Sequence, residues 1–165
     1  MDYQNYVIRA MRGDEYRLLD DFLYEAIFQK EGSAPVPREA IYDPSLRAYV
    51  EGFGEKKDDH CLVAEWGNRI VGAVWARIIP GYGHVDDETP ELAISLYKDY
   101  RGKGIGSNLM KEMLSLLKGK GYRQVSLSVQ KDNYAVRMYE GLGFNTIKTA
   151  DDDYLMLCSF DEEAN

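Results

Sequence analysis

Apolar residues along the chain recur at two periods, about two and about 3.6, and the changes of period divide it into strands and helices. Residues 5–11 (NYVIRAM) read as a short first strand. In GDEYRLLDDFLYEAIF, which follows, Leu18, Leu19, Phe22, Leu23, Ala26 and Ile27 recur at helical spacing and predict a first helix. EGSAPVP interrupts the pattern, and residues 38–51 predict a second, less regular helix around the turn at Asp43 and Pro44. HCLVAEW and RIVGAVWARII are β-rich runs separated by Gly67 and Asn68, the signature of a tight hairpin. Beyond the loop PGYGHVDDETP, ELAISLY makes a fourth strand.

From Ile105 the period lengthens again: Leu109, Met113 and the pair Leu116 and Leu117 share one helical face until KGKG, at residues 118–121, supplies the basic residues and glycine that end a helix. QVSLSV alternates as a fifth strand. DNYAVRMYEGLG predicts a helix capped by Asp132 or Asn133 and stopped at Gly141 or Gly143, and FNTIK and YLMLCSF close the chain as two strands. The order β-α-α-β-β-β-α-β-α-β-β predicts an α/β (α+β) protein with six or seven strands.

Composition narrows the classes. A chain of 165 residues fits one domain, taken as residues 1–165, with a core of its own. The longest apolar region is cut by Glu65, Arg69 and Arg77, and no basic-then-apolar leader opens the chain, which points to a cytoplasmic protein with no membrane attachment. Cys61 and Cys158 sit far apart in strand-like runs and read as buried free thiols; with His60 and His84 isolated, no metal site is expected. The net charge of −8, from 20 basic and 28 acidic residues, argues against a nucleic-acid partner and tolerates a cationic substrate. The acidic runs at 86–88 and 151–153 read first as solvated surface, and the tail 161–165 as disordered.

The chemistry concentrates in DYRGKGIGSNLM, residues 99–110, where Gly102, Gly104 and Gly106 alternate between other residues and lead into the long helix. A P-loop needs four residues between its first Gly and a closing Gly-Lys-Ser/Thr, and a dinucleotide fingerprint needs an acidic residue after the next strand; neither is present. A purely structural turn remains an alternative. Against it, Arg101 and Lys103 stand at the positive end of the helix dipole, and Glu112, two turns on, is the first acidic residue after them. An external anion resolves that conflict. Residues 101–107, namely Arg101, Gly102, Lys103, Gly104, Ile105, Gly106 and Ser107, therefore read as a pyrophosphate cradle of backbone amides and two cations.

Strand, cradle, helix, strand and DNYAVRMYEGLGF in that order resemble the GCN5-related N-acetyltransferase (GNAT) superfamily. Its acyl-CoA signature, Arg/Gln-x-x-Gly-x-Gly/Ala, is met by Arg101, Gly104 and Gly106. Its second signature resembles Asn133-x-Ala135-x3-Tyr139-Glu140-x-Leu142-Gly143-Phe144. The two cover residues 91–144, and Lys98 stands where many members carry proline. The resemblance implies a mixed, mostly antiparallel sheet splayed between strands four and five, with acetyl-CoA bound in the splay, no metal, and direct transfer of an acetyl group to an amine in a ternary complex.

It also implies roles. Backbone amides of Ile94 and Leu96 would face the thioester carbonyl, a use on which their side chains are silent. Tyr139 falls at the general-acid tyrosine; without the motif it would read as a half-buried core residue. Glu91, with Glu88 beside it, is the nearest candidate base, against the alternative of an exposed strand-end carboxylate. Asn133 falls at a position near the pantetheine or phosphate, or is only a helix cap. Arg137 is a candidate for an outer phosphate or a solvated face. The expected partner is a small-molecule amine or a peptide amine, with a homodimer through the closing strands as a possibility. Alternatives are a protein N-terminal or lysine acetyltransferase and a non-catalytic acyl-CoA sensor.

Overall fold

The computed structural model describes residues 5–160; the acidic tail at 161–165 lies outside the described residues. Seven strands form one sheet in the order β1-β2-β3-β4-β5-β7-β6: β1 Tyr6–Ala10, β2 His60–Trp66, β3 Arg69–Arg77, β4 Glu91–Leu96, β5 Gln124–Gln130, β6 Asn145–Thr149 and β7 Asp153–Ser159. Every pairing is antiparallel except β4 with β5, which is parallel and holds at a single pair, Glu91 opposite Ser126. Beyond that pair the two strands part. The expected splay is therefore present, in a sheet at the upper end of the expected strand number.

Because side chains alternate across each strand, the sheet builds two cores. On one face Leu62, Val74, Leu92, Val125, Leu127 and Met156 lie under α3, Ile105–Gly119, which buries Ile105, Leu109, Met110, Met113 and Leu117. On the other, Val63, Ala73 and Trp75 pack against Leu19, Phe22 and Leu23 of α1, Leu19–Ala26, together with Ile41, Val50 and Phe53. The glycine stop of α3 is a Schellman turn: Gly121, at φ +93°, lets Tyr122 N–H reach the Leu117 carbonyl at 3.2 Å and its own N–H reach that of Lys118 at 3.1 Å.

Two predicted helices are shorter than their patterns. Gly13–Leu18 winds as a 3₁₀ turn before α1, and residues 38–51 divide into a 3₁₀ turn, Arg38–Tyr42, and a one-turn α2, Pro44–Arg47. Pro44 explains the break. A residue before proline is driven out of helical conformation, and Asp43 accordingly sits at ψ 129° and caps the next turn by accepting from Ser45 N–H at 2.9 Å. The segment after α2 is tied down by a buried ion pair: Arg77 of β3 donates to both oxygens of Asp59, at 3.1 and 3.0 Å, and to the carbonyls of Ala48 and Glu51. Both cysteines are buried and free. Among the described residues no helix is long and apolar enough to cross a membrane, and no cluster of three potential metal ligands occurs.

Candidate active site

Strand register decides what faces the splay. Tyr97 N–H donates to Val71 of β3 at 3.0 Å, so by alternation the N–H groups of Ser95 and Ala93 also point to β3. Those of Ile94 and Leu96 point the other way, toward β5, which pairs with neither. The Leu96 carbonyl confirms the direction, since it accepts from Arg101 Nε, beyond the end of β4, at 3.0 Å. Two backbone donors thus face the opening between the strands.

The glycine turn lies just past β4. Gly102 (φ +74°) and Gly104 (φ +86°) both hold left-handed conformations, and a Cβ on either would meet no atom within 4 Å. Space is left above the backbone there, as a cradle requires. Asn108 N–H makes the first helical bond, to Gly104, so the amides of Ile105, Gly106 and Ser107 have no acceptor within the helix, and no acidic side chain occupies the first turn. Lys103 is exposed beside them and Ser107 is half-buried.

The structure divides the roles of the other cradle residues. Arg101 is turned away from the amides: its guanidinium donates to the Glu25 carboxylate at 3.1 Å and to the Glu25 and Leu96 carbonyls, so it fastens the turn to the end of α1. The Ile105 side chain belongs to the core, leaving only its amide to the turn. Gly106 serves packing, because a Cβ there would stand 3.3 Å from Leu96 Cδ1, between α3 and β4. These contacts join residues up to 76 positions apart, which local spacing does not reveal.

A cavity of about 380 Å³ occupies the splay, lined on the α3 side by Leu92, Ile94, Met110, Leu127, Val129 and Tyr139. Tyr139 comes from α4, Ala135–Gly141, with its ring packed edge-on to Phe144 at 5.9 Å and 7% of its surface exposed. Its hydroxyl bonds to none of the described residues, and no fully buried polar side-chain atom among them lacks a partner; the hydroxyl therefore opens on the cavity. Burial pushes this phenol well above the usual tyrosine pKa, so it remains protonated at neutral pH. Asn133 lines the same cavity while its side-chain carbonyl caps α4 at Ala135 N–H, 2.9 Å away, so the cap and the cavity wall are one residue. Arg137, read from the sequence as a candidate for an outer phosphate or as a solvated face, is exposed and borders a separate open hollow with Lys131 and Tyr154.

Glu91 differs most from expectation. In place of an exposed strand-end carboxylate it is 2% exposed, and its oxygens accept from Gly81 N–H (2.9 Å), Gly83 N–H (3.0 Å) and the Tyr49 hydroxyl (2.8 Å). Burial raises its pKa against the pull of those donors. Glu88 and its acidic neighbours sit on the surface, where the Asp86 carboxylate accepts from Glu88 N–H and the Thr89 hydroxyl. Tyr49 and Tyr82, which the sequence analysis did not single out, do line the cavity, with Phe28 and Leu46. The one available signal, glycines flanking Tyr82, names a turn but not its partner.

Acetyl-CoA fits what is present: an open glycine turn at a helix N-terminus suits a pyrophosphate, and an apolar slot with two inward amides suits a thioester arm. Comparison with known proteins agrees. The family model described as the acetyltransferase (GNAT) family matches residues 22–144. A thialysine N-epsilon-acetyltransferase of Bos taurus is 31% identical over 126 residues, 67% of this chain and 69% of that protein. A mycothiol acetyltransferase of Corynebacterium glutamicum is 35% identical over 98 residues, 56% of this chain but only 30% of its own length, so the chain spans under a third of that relative. PaiA N-acetyltransferase from Thermoplasma acidophilum, solved in complex with coenzyme A, superposes with a TM-score of 0.69 at 22% identity, covering 95% of this chain and 100% of its own. On the family match across most of its length, with the fold shared with PaiA N-acetyltransferase beside it, the chain belongs to the GNAT family of acetyltransferases.

Proposed function

We propose that this protein is an acetyl-CoA-dependent N-acetyltransferase that transfers the acetyl group directly to an amine. The observation that carries the reading is the convergence of the inward-facing Ile94 amide and the free Tyr139 hydroxyl on one cavity at the splay. Acetyl-CoA supplies an activated acetyl thioester. The amides of Ile105, Gly106 and Ser107, with Lys103 beside them, hold a pyrophosphate at the positive end of α3. Ile94 and Leu96 N–H donate where negative charge develops on the carbonyl oxygen, worth up to about 3 kcal/mol per donor. Tyr139 Oη gives its proton to the departing sulfur. Glu91 has its oxygens engaged and does not line the cavity, so the attacking amine sheds its proton to water at the mouth.

The test pairs calorimetric titration of acetyl-CoA with thiol release across amines, amino acids and peptides. Saturable binding with turnover of at least one amine supports the reading. Absence of acetyl-CoA binding overturns it, and binding without turnover of any acceptor favours a sensor. Two free buried cysteines accord with a reducing, cytoplasmic setting.

A further inference from the structure

On the α1 side, the same cavity is walled by Ile27, Phe28, Leu46, Tyr49 and Tyr82, and the far side of the sheet is where the sulfur's proton donor stands, so this wall belongs to the acceptor. Its two tyrosines are built into place. Their rings stack at 11° with centroids 6.5 Å apart. The Tyr82 hydroxyl shares a hydrogen bond of 2.7 Å with Ser45, itself held by Asp43, and Tyr82 N–H donates to the Tyr49 hydroxyl at 2.9 Å. Yet Tyr82 keeps 58% of its surface exposed. An aromatic ring held by two hydrogen bonds and a stacking partner, but left uncovered at a cavity mouth, presents a flat face of fixed orientation.

The clamp beneath this face is Glu91. It ties Gly81 N–H, Gly83 N–H and Tyr49 together, and the two glycines are required by the closeness of the fit: a Cβ on Gly81 would stand 2.6 Å from the Tyr49 hydroxyl oxygen and 2.8 Å from a Glu91 oxygen. A Cβ on Gly83 would press on the β5 backbone at Leu127 and Ser128, 3.1 Å away. Residues 81–83 therefore lie flat across the splay. The Ser126 hydroxyl donates to the Gly83 carbonyl at 2.6 Å and seals the other edge.

The electrostatics of the wall exclude as well as select. Among the described lining residues the one carboxylate is Asp153, which pairs with Gln130 at the opposite end of β5. Glu91 stands behind the tyrosines with its oxygens engaged, and residues 86–88 are outside the cavity. A second cation held against the Tyr49 and Tyr82 wall would meet no carboxylate there, whereas an apolar body gains by leaving water. The acidic run at 86–88, read from the sequence first as solvated surface, thus stays outside the acceptor wall.

Building on the proposed acetyl transfer, we infer that the acceptor is a primary amine carried on a flat apolar or aromatic body, selected by the Tyr49 and Tyr82 face, with Glu91 as the residue that positions that face. The experiment compares phenethylamine, ethylamine and spermidine as acceptors for the wild type, Tyr82→Ala and Glu91→Gln, alongside acetyl-CoA affinity by calorimetry. Phenethylamine should exceed spermidine in kcat/KM by at least about tenfold. Tyr82→Ala should raise its KM about tenfold with kcat within about threefold, leave the ethylamine KM unchanged and leave acetyl-CoA affinity intact. Glu91→Gln should act in the same direction, on KM first; a fall confined to kcat would make Glu91 a base and overturn its positioning role. Equal or better use of spermidine, or a phenethylamine KM indifferent to Tyr82→Ala, overturns the inference while leaving acetyl transfer standing. Calorimetry of the same amines on coenzyme A-saturated protein reads the wall without turnover: tighter binding of spermidine, or no binding of phenethylamine, overturns it independently. Loss of acetyl-CoA binding in the wild type would instead remove the proposed function itself.

Discussion

Replacing Tyr139 by Phe isolates the proton transfer from everything else this residue does. The ring packs on Phe144 within the α3-side core, and its hydroxyl has no partner among the described residues, so the substitution removes no hydrogen bond to them and opens no cavity. Stability should stay within about 0.5 kcal/mol of wild type, a melting shift of no more than about 2 °C. Acetyl-CoA affinity should stay within about threefold, since a ring of nearly the same shape remains. The rate should not. General-acid help is worth about 10²- to 10⁴-fold, or roughly 2.7 to 5.5 kcal/mol of barrier, and among the described residues only this hydroxyl lines the α3 side of the cavity as a protonated donor. Because burial holds the phenol above the ordinary tyrosine value, its ionisation should not depress the wild-type rate anywhere below about pH 10. Single-turnover thiol release, with acetyl-CoA preloaded and the amine in excess, makes chemistry visible. A Phe variant that turns over at the wild-type single-turnover rate would refute the assignment: Tyr139 would be a packing residue and the sulfur would take its proton from water.

The two cradle glycines should separate cleanly: Gly104→Val places a side chain at φ +86° in the open cradle and should weaken acetyl-CoA binding more than tenfold by calorimetry. Gly106→Ala should leave that affinity unchanged and move stability by less than about 1 kcal/mol, the helix preference of Ala opposing its crowding of Leu96. Arg77→Met strands the Asp59 carboxylate in the interior and should cost about 3–5 kcal/mol, visible as a melting temperature about 10 °C lower. Glu15, held by Arg9 at 2.8 and 2.9 Å, has its pKa lowered from 4.5 to about 2. A lowered folded pKa means stabilisation that is complete above about pH 4.5 and lost as the pH falls toward 2, so the urea midpoints of wild type and Glu15→Gln should differ at pH 7 and converge near pH 2.

The order of elements was legible because period-two and period-3.6 runs are local, and the glycine turn because Gly102, Gly104 and Gly106 stand directly before an apolar helix pattern. What was not legible is tertiary. The spacing of Leu18 to Ile27 does not show that the chain up to Leu18 winds as 3₁₀, and the regular reading of residues 38–51 underrated how firmly Pro44 fixes Asp43 outside the helix. The sign of a side chain's use was lost in the same way: Arg101 read as a phosphate ligand until Glu25, 76 residues earlier, was seen to hold it. Glu91 is the sharpest case. A strand-end carboxylate is normally solvated, and only the return of residues 81–83 over it, with Tyr49 from 42 residues away, buries it. Tyr49 and Tyr82 carry no local mark of partnership at all.

The single pairing between β4 and β5 also sets how the sheet responds to isotope exchange. Amides that alternate along one strand should divide into two populations: Ala93 and Ser95, bonded to β3, exchange with deuterium only when that ladder opens, whereas Ile94 and Leu96, turned to the splay, exchange at the rate at which water visits the slot. Coenzyme A filling the slot would slow the second pair and leave the first nearly untouched. The gap in the ladder thus makes β4 its own occupancy gauge, with a zigzag of fast and slow amides that flattens as the slot fills.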